Sequence, residues 1–186
     1  NVLRVLRQKI AFGLDSEVEI SEERIECKEH RSLAQEVAEK SFVLLKNEGV
    51  LPLKRAEKIA LIGKLAATEN LGDRGSSMVR SSNVSTPLNA LENWNGASVT
   101  YFEDPPARQL LQGFDVAVVV AGYTYQDEGE YIPTLDKESS GTDLARGGDR
   151  IYLRLPIDQE ELIGSVSSIA NKTVVLLETG SSVNVS

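Results

Sequence analysis

The chain is short of several residue types, and each shortage closes a class of function. It has one cysteine, Cys27, among 186 residues, so no disulfide forms within it. That fits a cytoplasmic protein without excluding a secreted one, and the compartment stays open. No CxxC or HxxxH spacing occurs, and Cys27 has no companion ligands, so no metal site is expected. The one histidine, His30, is the only base available to a Ser-His-Asp or Cys-His site. Nothing around it resembles a nucleophile elbow, and it reads as a surface or capping residue before the first long helix. There is no basic excess: 20 Lys and Arg stand against 28 Asp and Glu, a formal charge of −8. Phosphate backbones and anionic membranes are therefore poor partners, and neither nucleic acid nor membrane binding is expected. No apolar run is long enough to span a bilayer, and no signal peptide is visible. The chain opens on Asn1-Val2-Leu3-Arg4, inside a helical pattern and without a start methionine, so an upstream part is expected.

What remains is ordinary in composition, 41% hydrophobic and 26% charged, and long enough for one domain with a real core. Apolar residues at helical spacing (Val2, Leu3, Leu6, Ile10) predict a helix over Val2 to Phe12, stopped at Gly13. Asp15 to Glu29 is polar and acidic, a connecting segment. Leu33, Ala34, Val37, Ala38, Ser41, Leu44 and Leu45 lie on one face of a helix predicted over Arg31 to Leu45. Asn47-Glu48-Gly49 and Pro52 end it.

The period then changes. Ile59 to Gly63 (IALIG) and Val116 to Gly122 (VAVVVAG) are apolar runs closed by glycine, the profile of buried parallel strands. Val99 to Phe102 and Thr173 to Leu177 are two further strands. Helices are predicted between them at Pro87 to Trp94, Ala107 to Gln112 and Ile157 to Asn171, the last with Asp158 as cap or first-turn acid. Trp94 reads as a core residue. The alternation predicts an α/β fold: an open, mostly parallel sheet flanked by helices, a three-layer α/β/α sandwich.

Two connections are longer than the sheet requires, Lys64 to Thr86 and Tyr123 to Pro156, and both follow a strand ending in glycine. With an assumed flavodoxin-like order 2-1-3-4, strands one and three are neighbours at the switch point. Both loops then face one crevice, where open α/β sheets bind ligands. The first loop holds Gly72-Asp73-Arg74-Gly75-Ser76-Ser77. Its small residues let backbone approach a ligand, and Asp73 or Arg74 suits hydroxyl groups. A phosphate cradle is the competing idea, but no Walker lysine or G-x-G-x-x-G follows the first strand. The second loop, Gly122 to Tyr131, carries Asp127, Glu128 and Glu130 with Tyr123, Tyr125 and Tyr131. Aromatic faces take sugar C–H surfaces, carboxylates take hydroxyls, and a carboxyl among aromatics can serve as general acid. The plain alternative for either loop is a solvated surface segment. Asp149-Arg150, closing the second loop, reads as a local ion pair.

These residues resemble a known family. Leu33 to Leu53 (LAQEVAEKSFVLLKNEGVLPL), then Lys58 to Gly63 (KIALIG), is similar to the opening of the second domain of family 3 glycoside hydrolases, the β-glucosidase-like family. Val116 to Gly122, "DEGEY", "GGDRIYLRLPIDQEELI" and "NKTVVLLETGSSV" continue the likeness in order. The resemblance divides the chain into 1–30, an exit helix and linker from a barrel domain, and 31–186, a partial α/β sandwich domain. It implies hydrolysis of β-linked glucosides or oligosaccharides with retention. The nucleophile would be an aspartate of the absent barrel. The acid/base would be a glutamate of the second loop, which must come within roughly 5–5.5 Å of it. Glu128 matches that position best, with Glu130 next. Asp73, Arg74 and Ser76 match the first-loop segment near the sugar, and Tyr125 and Asp127 complete the expected substrate contacts. Relatives often carry arginine where Met78 stands. No cofactor is implied. The family spans several sugars and includes phosphorylases, so sugar and linkage stay open. The isolated chain is expected to be inactive, and a non-catalytic carbohydrate-binding or structural module is the alternative. A nucleotide- or flavin-binding domain ranks third, because Gly63-Lys64-Leu65-Ala66 is no phosphate-binding turn. Truncation would leave sheet edges and apolar surface uncovered, favouring association with a second copy or a missing segment.

Overall fold

The computed structural model describes residues 1–17, 21–55, 57–72, 79–94, 96–128, 145–146, 149–150 and 152–185. The chain divides into two compact units, Asn1–Leu45 and Lys46–Ser186.

The first unit is helical. Helix α1 spans Val2–Ala11. It ends in a Schellman arrangement around Gly13: the Leu14 N–H donates to Lys9 O (2.8 Å) and the Gly13 N–H to Ile10 O (3.0 Å). Helix α2 spans Lys28–Ser41, three residues earlier at its start and four earlier at its end than the apolar spacing predicts. Phe42 turns extended, with φ −66 and ψ 130. The run Phe42-Val43-Leu44-Leu45 that imitated a helical face starts with an aromatic and a β-branched residue, which favour extended chain. His30 consequently lies inside the first turn of α2, exposed, and not ahead of it. Neither helix buries a residue.

The second unit is the predicted α/β layer structure. Strand β1 (Lys58–Ile62) is followed by a 3-10 turn (Lys64–Ala67), helix α3 (Pro87–Glu92), strand β2 (Ser98–Phe102), helix α4 (Arg108–Leu111) and strand β3 (Val116–Gly122). After β3 come a one-turn helix α5 (Tyr125–Glu128) and a two-stranded antiparallel ribbon, β4 (Ala145–Arg146) with β5 (Asp149–Arg150). Helix α6 (Ile157–Ser167) and strand β6 (Thr173–Glu178) complete the unit. The main sheet has the order β2-β1-β3-β6, and every pairing in it is parallel. The assumed 2-1-3-4 order is the one observed. Each connection between parallel neighbours must cross over a face, which is why helices line both.

Period-two alternation sends the strand residues to two cores. Ile59, Leu61, Val116, Val118 and Val120 pack beneath the 3-10 turn and α3, with Trp94 partly buried against them. Ala60, Ile62, Ala117 and Val119 pack on the other face against Leu111 of α4 and Val166 of α6. All seven residues of β3 are buried, as a central strand covered on both faces requires. The predicted helices exist but are shorter than their patterns. Helix α3 is held by a capping box in which Thr86 Oγ1 accepts from the Asn89 N–H (3.2 Å), with Pro87 next in the first turn. Asp158 and Glu160 occupy the first turn of α6, where negative charge meets the helix dipole. Among the described residues, no helix is long and apolar enough to cross a membrane.

Candidate functional site

Strands β1, β3 and β6 run parallel, so their carboxyl ends open at one edge of the sheet, and β1 beside β3 is the switch point. Two glycines make the exits from that edge. Gly63 leaves β1 with φ +110, and a Cβ there would stand 2.6 Å from Val120 O. Gly122 ends β3 with φ +148, and a Cβ would stand 1.9 Å from Glu178 O. Neither position accepts a side chain without moving a neighbouring strand.

The chain beyond β3 is fixed residue by residue. Tyr123 is buried; its N–H donates to Glu178 O (2.9 Å) and its hydroxyl to Arg154 O (2.9 Å). The Arg150 guanidinium lies 4.0 Å from the centre of the Tyr123 ring. Arg150 also donates to Ser182 O (2.7 Å) and to the Ser181 hydroxyl, tying β5 to the segment after β6. Thr124 then starts the one-turn helix α5. Its hydroxyl accepts from the Gln126 N–H (3.2 Å), and the Asp127 carboxylate accepts from the Thr124 N–H (2.9 Å) and hydroxyl (3.1 Å). This reciprocal pairing across three residues resembles a capping box and explains why a four-residue turn forms at all. Asp127 is 4% exposed and engaged within the turn; Tyr125 is 37% exposed at its start. The turn ends on Glu128 and packs against the β4–β5 ribbon. Asp73, Arg74, Ser76 and Glu130 lie outside the described residues.

Three participants left little trace in the sequence. Asn70, from the loop after β1, donates through Nδ2 to Tyr123 O (2.9 Å) and to Glu178 Oε2 (3.2 Å), so it joins the ends of β3 and β6. Burial pushes the Glu178 carboxyl above the usual glutamate range, and the Asn70 hydrogen bond opposes the shift only in part. Gln159 of α6 meets Gly122 with both ends of its amide: the Gly122 N–H donates to Oε1 (2.7 Å) and Nε2 donates to Gly122 O (2.9 Å). A glutamate closing the apolar run TVVLLE was the one available sign. Asn70 and Gln159 sit in polar surroundings that hide them. Among the described residues, no group of three or more His, Cys, Asp or Glu side chains is placed to hold a metal ion. The described strand-end edge gathers the Glu178 carboxylate, the Asn70 and Gln159 amides, the Tyr123 ring and a turn whose last residue is Glu128.

Residues 42–186 match the pattern of the glycosyl hydrolase family 3 C-terminal domain. The chain belongs to that family. The family 3 domain is 31% identical over 170 residues to thermostable beta-glucosidase B of Acetivibrio thermocellus, covering 83% of this chain and 20% of that protein. It is 30% identical over 165 residues to the probable beta-D-xylosidase 6 of Arabidopsis thaliana, covering 82% and 19%. Its fold superimposes on the crystal structure of a Bifidobacterium adolescentis GH3 beta-glucosidase with a TM-score of 0.68 at 26% identity, covering 90% of this chain and 24% of that one. The family 3 domain therefore spans about a fifth of the length of the curated relatives it matches.

Proposed function

We propose that this domain supplies the acid/base glutamate and part of the sugar site of a β-glycosidase, and that Glu128 is that glutamate, with Glu130 the runner-up. The observation that carries the reading is the α5 turn. A capped turn at the carboxyl end of the most buried strand ends on Glu128, and Asn70 of the loop after β1 bonds to Tyr123 just ahead of it. Relatives that match the domain are a beta-glucosidase and a probable beta-D-xylosidase, so a β-linked glucoside or a related sugar is the substrate proposed.

In this reading an aspartate of a barrel domain attacks the anomeric carbon while Glu128 gives its proton to the departing glycosidic oxygen. The carboxylate so formed then takes a proton from the water that releases the sugar. Tyr125 offers an aromatic face to the ring, and Asp127 holds the turn from within. Residues 1–30 are the exit helix and linker from the barrel. The apolar stripe of α1, with Leu3 and Ile10 exposed, is the face assigned to it. The chain alone would then lack a nucleophile and not turn over. With those faces uncovered it should self-associate, and a clean monomer in sedimentation at high concentration would count against that.

The test joins the domain to its barrel and changes Glu128→Ala. Hydrolysis of an alkyl or disaccharide glucoside should fall by at least about 10²-fold. An activated aryl glucoside should still react, with azide restoring turnover as the glycosyl azide. Unchanged activity, or a loss that azide does not relieve, sinks Glu128. The same outcome shared by Glu130→Ala would move the role off this loop.

A further inference from the structure

Gly122 presents a polar group problem that the sheet does not solve. The Tyr123 N–H turns toward β6, where it meets Glu178 O, so alternation along the strand turns the N–H and C=O of Gly122 to the opposite side. Strand β1 lies on that side, but its ladder with β3 stops at Ile62 opposite Val119. From Gly63 the chain leaves β1 for the 3-10 turn. The last donor and acceptor of β3 are left without a strand, in a part-buried place where unmade hydrogen bonds are costly. The Gln159 amide meets both, at 2.7 and 2.9 Å. A primary amide carries a donor and an acceptor in one plane, as a peptide group does, so the side chain acts as a one-residue strand.

We propose that Gln159 is a positioning residue for the acid/base. By closing β3 where β1 has ended, it sets the point from which Tyr123, Thr124 and the α5 turn depart, and so where Glu128 stands. The inference rests on the reading of Glu128 as the acid/base.

Two measurements test it. On the chain itself, Gln159→Met keeps length and volume but removes both hydrogen bonds. The Gly122 amide should exchange with solvent at least about tenfold faster while that of Val119 is unchanged. Unchanged exchange at Gly122 in the folded variant overturns the proposal. In the barrel-bearing protein, kcat/KM for an alkyl glucoside, whose leaving group needs a proton, should fall about 10²-fold. For a dinitrophenyl glucoside, whose leaving group needs none, it should stay within about threefold. Equal losses on both substrates mean a merely structural role and overturn the proposal. Gln159→Glu supplies a second variant: its carboxylate accepts from the Gly122 N–H but repels Gly122 O. The alkyl-to-aryl rate ratio should therefore recover as pH falls and the carboxyl regains its proton, and a ratio indifferent to pH contradicts the inference. Glu128→Ala in the same assay separates the two readings. If it shows no leaving-group dependence, the acid/base assignment falls and this proposal with it. If it does and Gln159→Met does not, only the positioning role falls.

Discussion

The two units of the chain carry equally clear apolar patterns and use them differently. Helix α2 sets Leu33 and Val37 on one face, and both are 59% exposed. Strand β1 sets Ile59 and Leu61 on one face, and both are fully buried beneath the 3-10 turn and α3. An amphipathic stripe is an offer of burial, and only a partner within reach accepts it. In the sheet the partners are neighbouring strands and crossover helices of the same unit. In Asn1–Leu45 neither helix buries a residue. The same kind of pattern thus means core in one region and an available face in the other, and the difference lies in the contacts.

The sharpest way to strain that contrast is at the strand end, where the sheet has no spare volume. Gly122→Ala drives a methyl into Glu178 O in the most buried strand. We expect a loss of about 4 kcal/mol, or failure to fold, read from the urea midpoint. A loss under about 1 kcal/mol would mean that β6 yields easily. Next in size is a matched pair of truncations. Ile59→Ala should cost about 3 kcal/mol, whereas Leu33→Ala should stay within about 0.5 kcal/mol, both measured by denaturant unfolding of this chain. Similar costs at the two sites would erase the comparison. The smallest effect sharpens it within the sheet. Burial raises the Glu178 carboxyl, so the folded state holds that proton more tightly than the unfolded chain does. Its contribution to stability is fully present below the unfolded value, under about pH 4. It is lost as pH rises through the raised folded value. Glu178→Gln keeps an acceptor for Asn70 and removes the charge. Thermal unfolding should show the variant ahead of the parent at neutral pH and level with it in acid; a parent equally stable relative to the variant at both would contradict the burial argument.

Much of the sheet was legible because parallel strands buried on both faces leave an unmistakable run of Val, Ile and Ala, as in VAVVVAG. Helix ends were less so. The run after Ser41 continued the apolar spacing of α2 by coincidence, and only the extended backbone at Phe42 separates the two. Of the site, Tyr125, Asp127 and Glu128 could be picked out as a carboxylate-rich loop beyond the best strand. Their internal order could not: the capping arrangement of Thr124 and Asp127 is a matter of one turn's geometry. The sugar-site roles of Tyr125, Asp127 and Glu128 stay proposals, as do those of Asp73, Arg74, Ser76 and Glu130.

The sequence by itself determined the four strands of the main sheet, the helices between them, the two glycine exits and the family, since each is written in neighbouring residues. Tertiary structure alone decided the strand order, which the sequence reading had to assume. It also brought Asn70 to Glu178, 108 positions away, and Gln159 to Gly122, 37 away. The reason is physical. Periodicity and turn chemistry act over a few bonds along the chain, but a hydrogen bond between two polar side chains or a strand end and a helix needs only closeness in space. Glu128 belongs to both accounts: its place after the strand and the Thr124–Asp127 pairing within its turn are local, while the strand end before it is closed by Gln159, far along the chain.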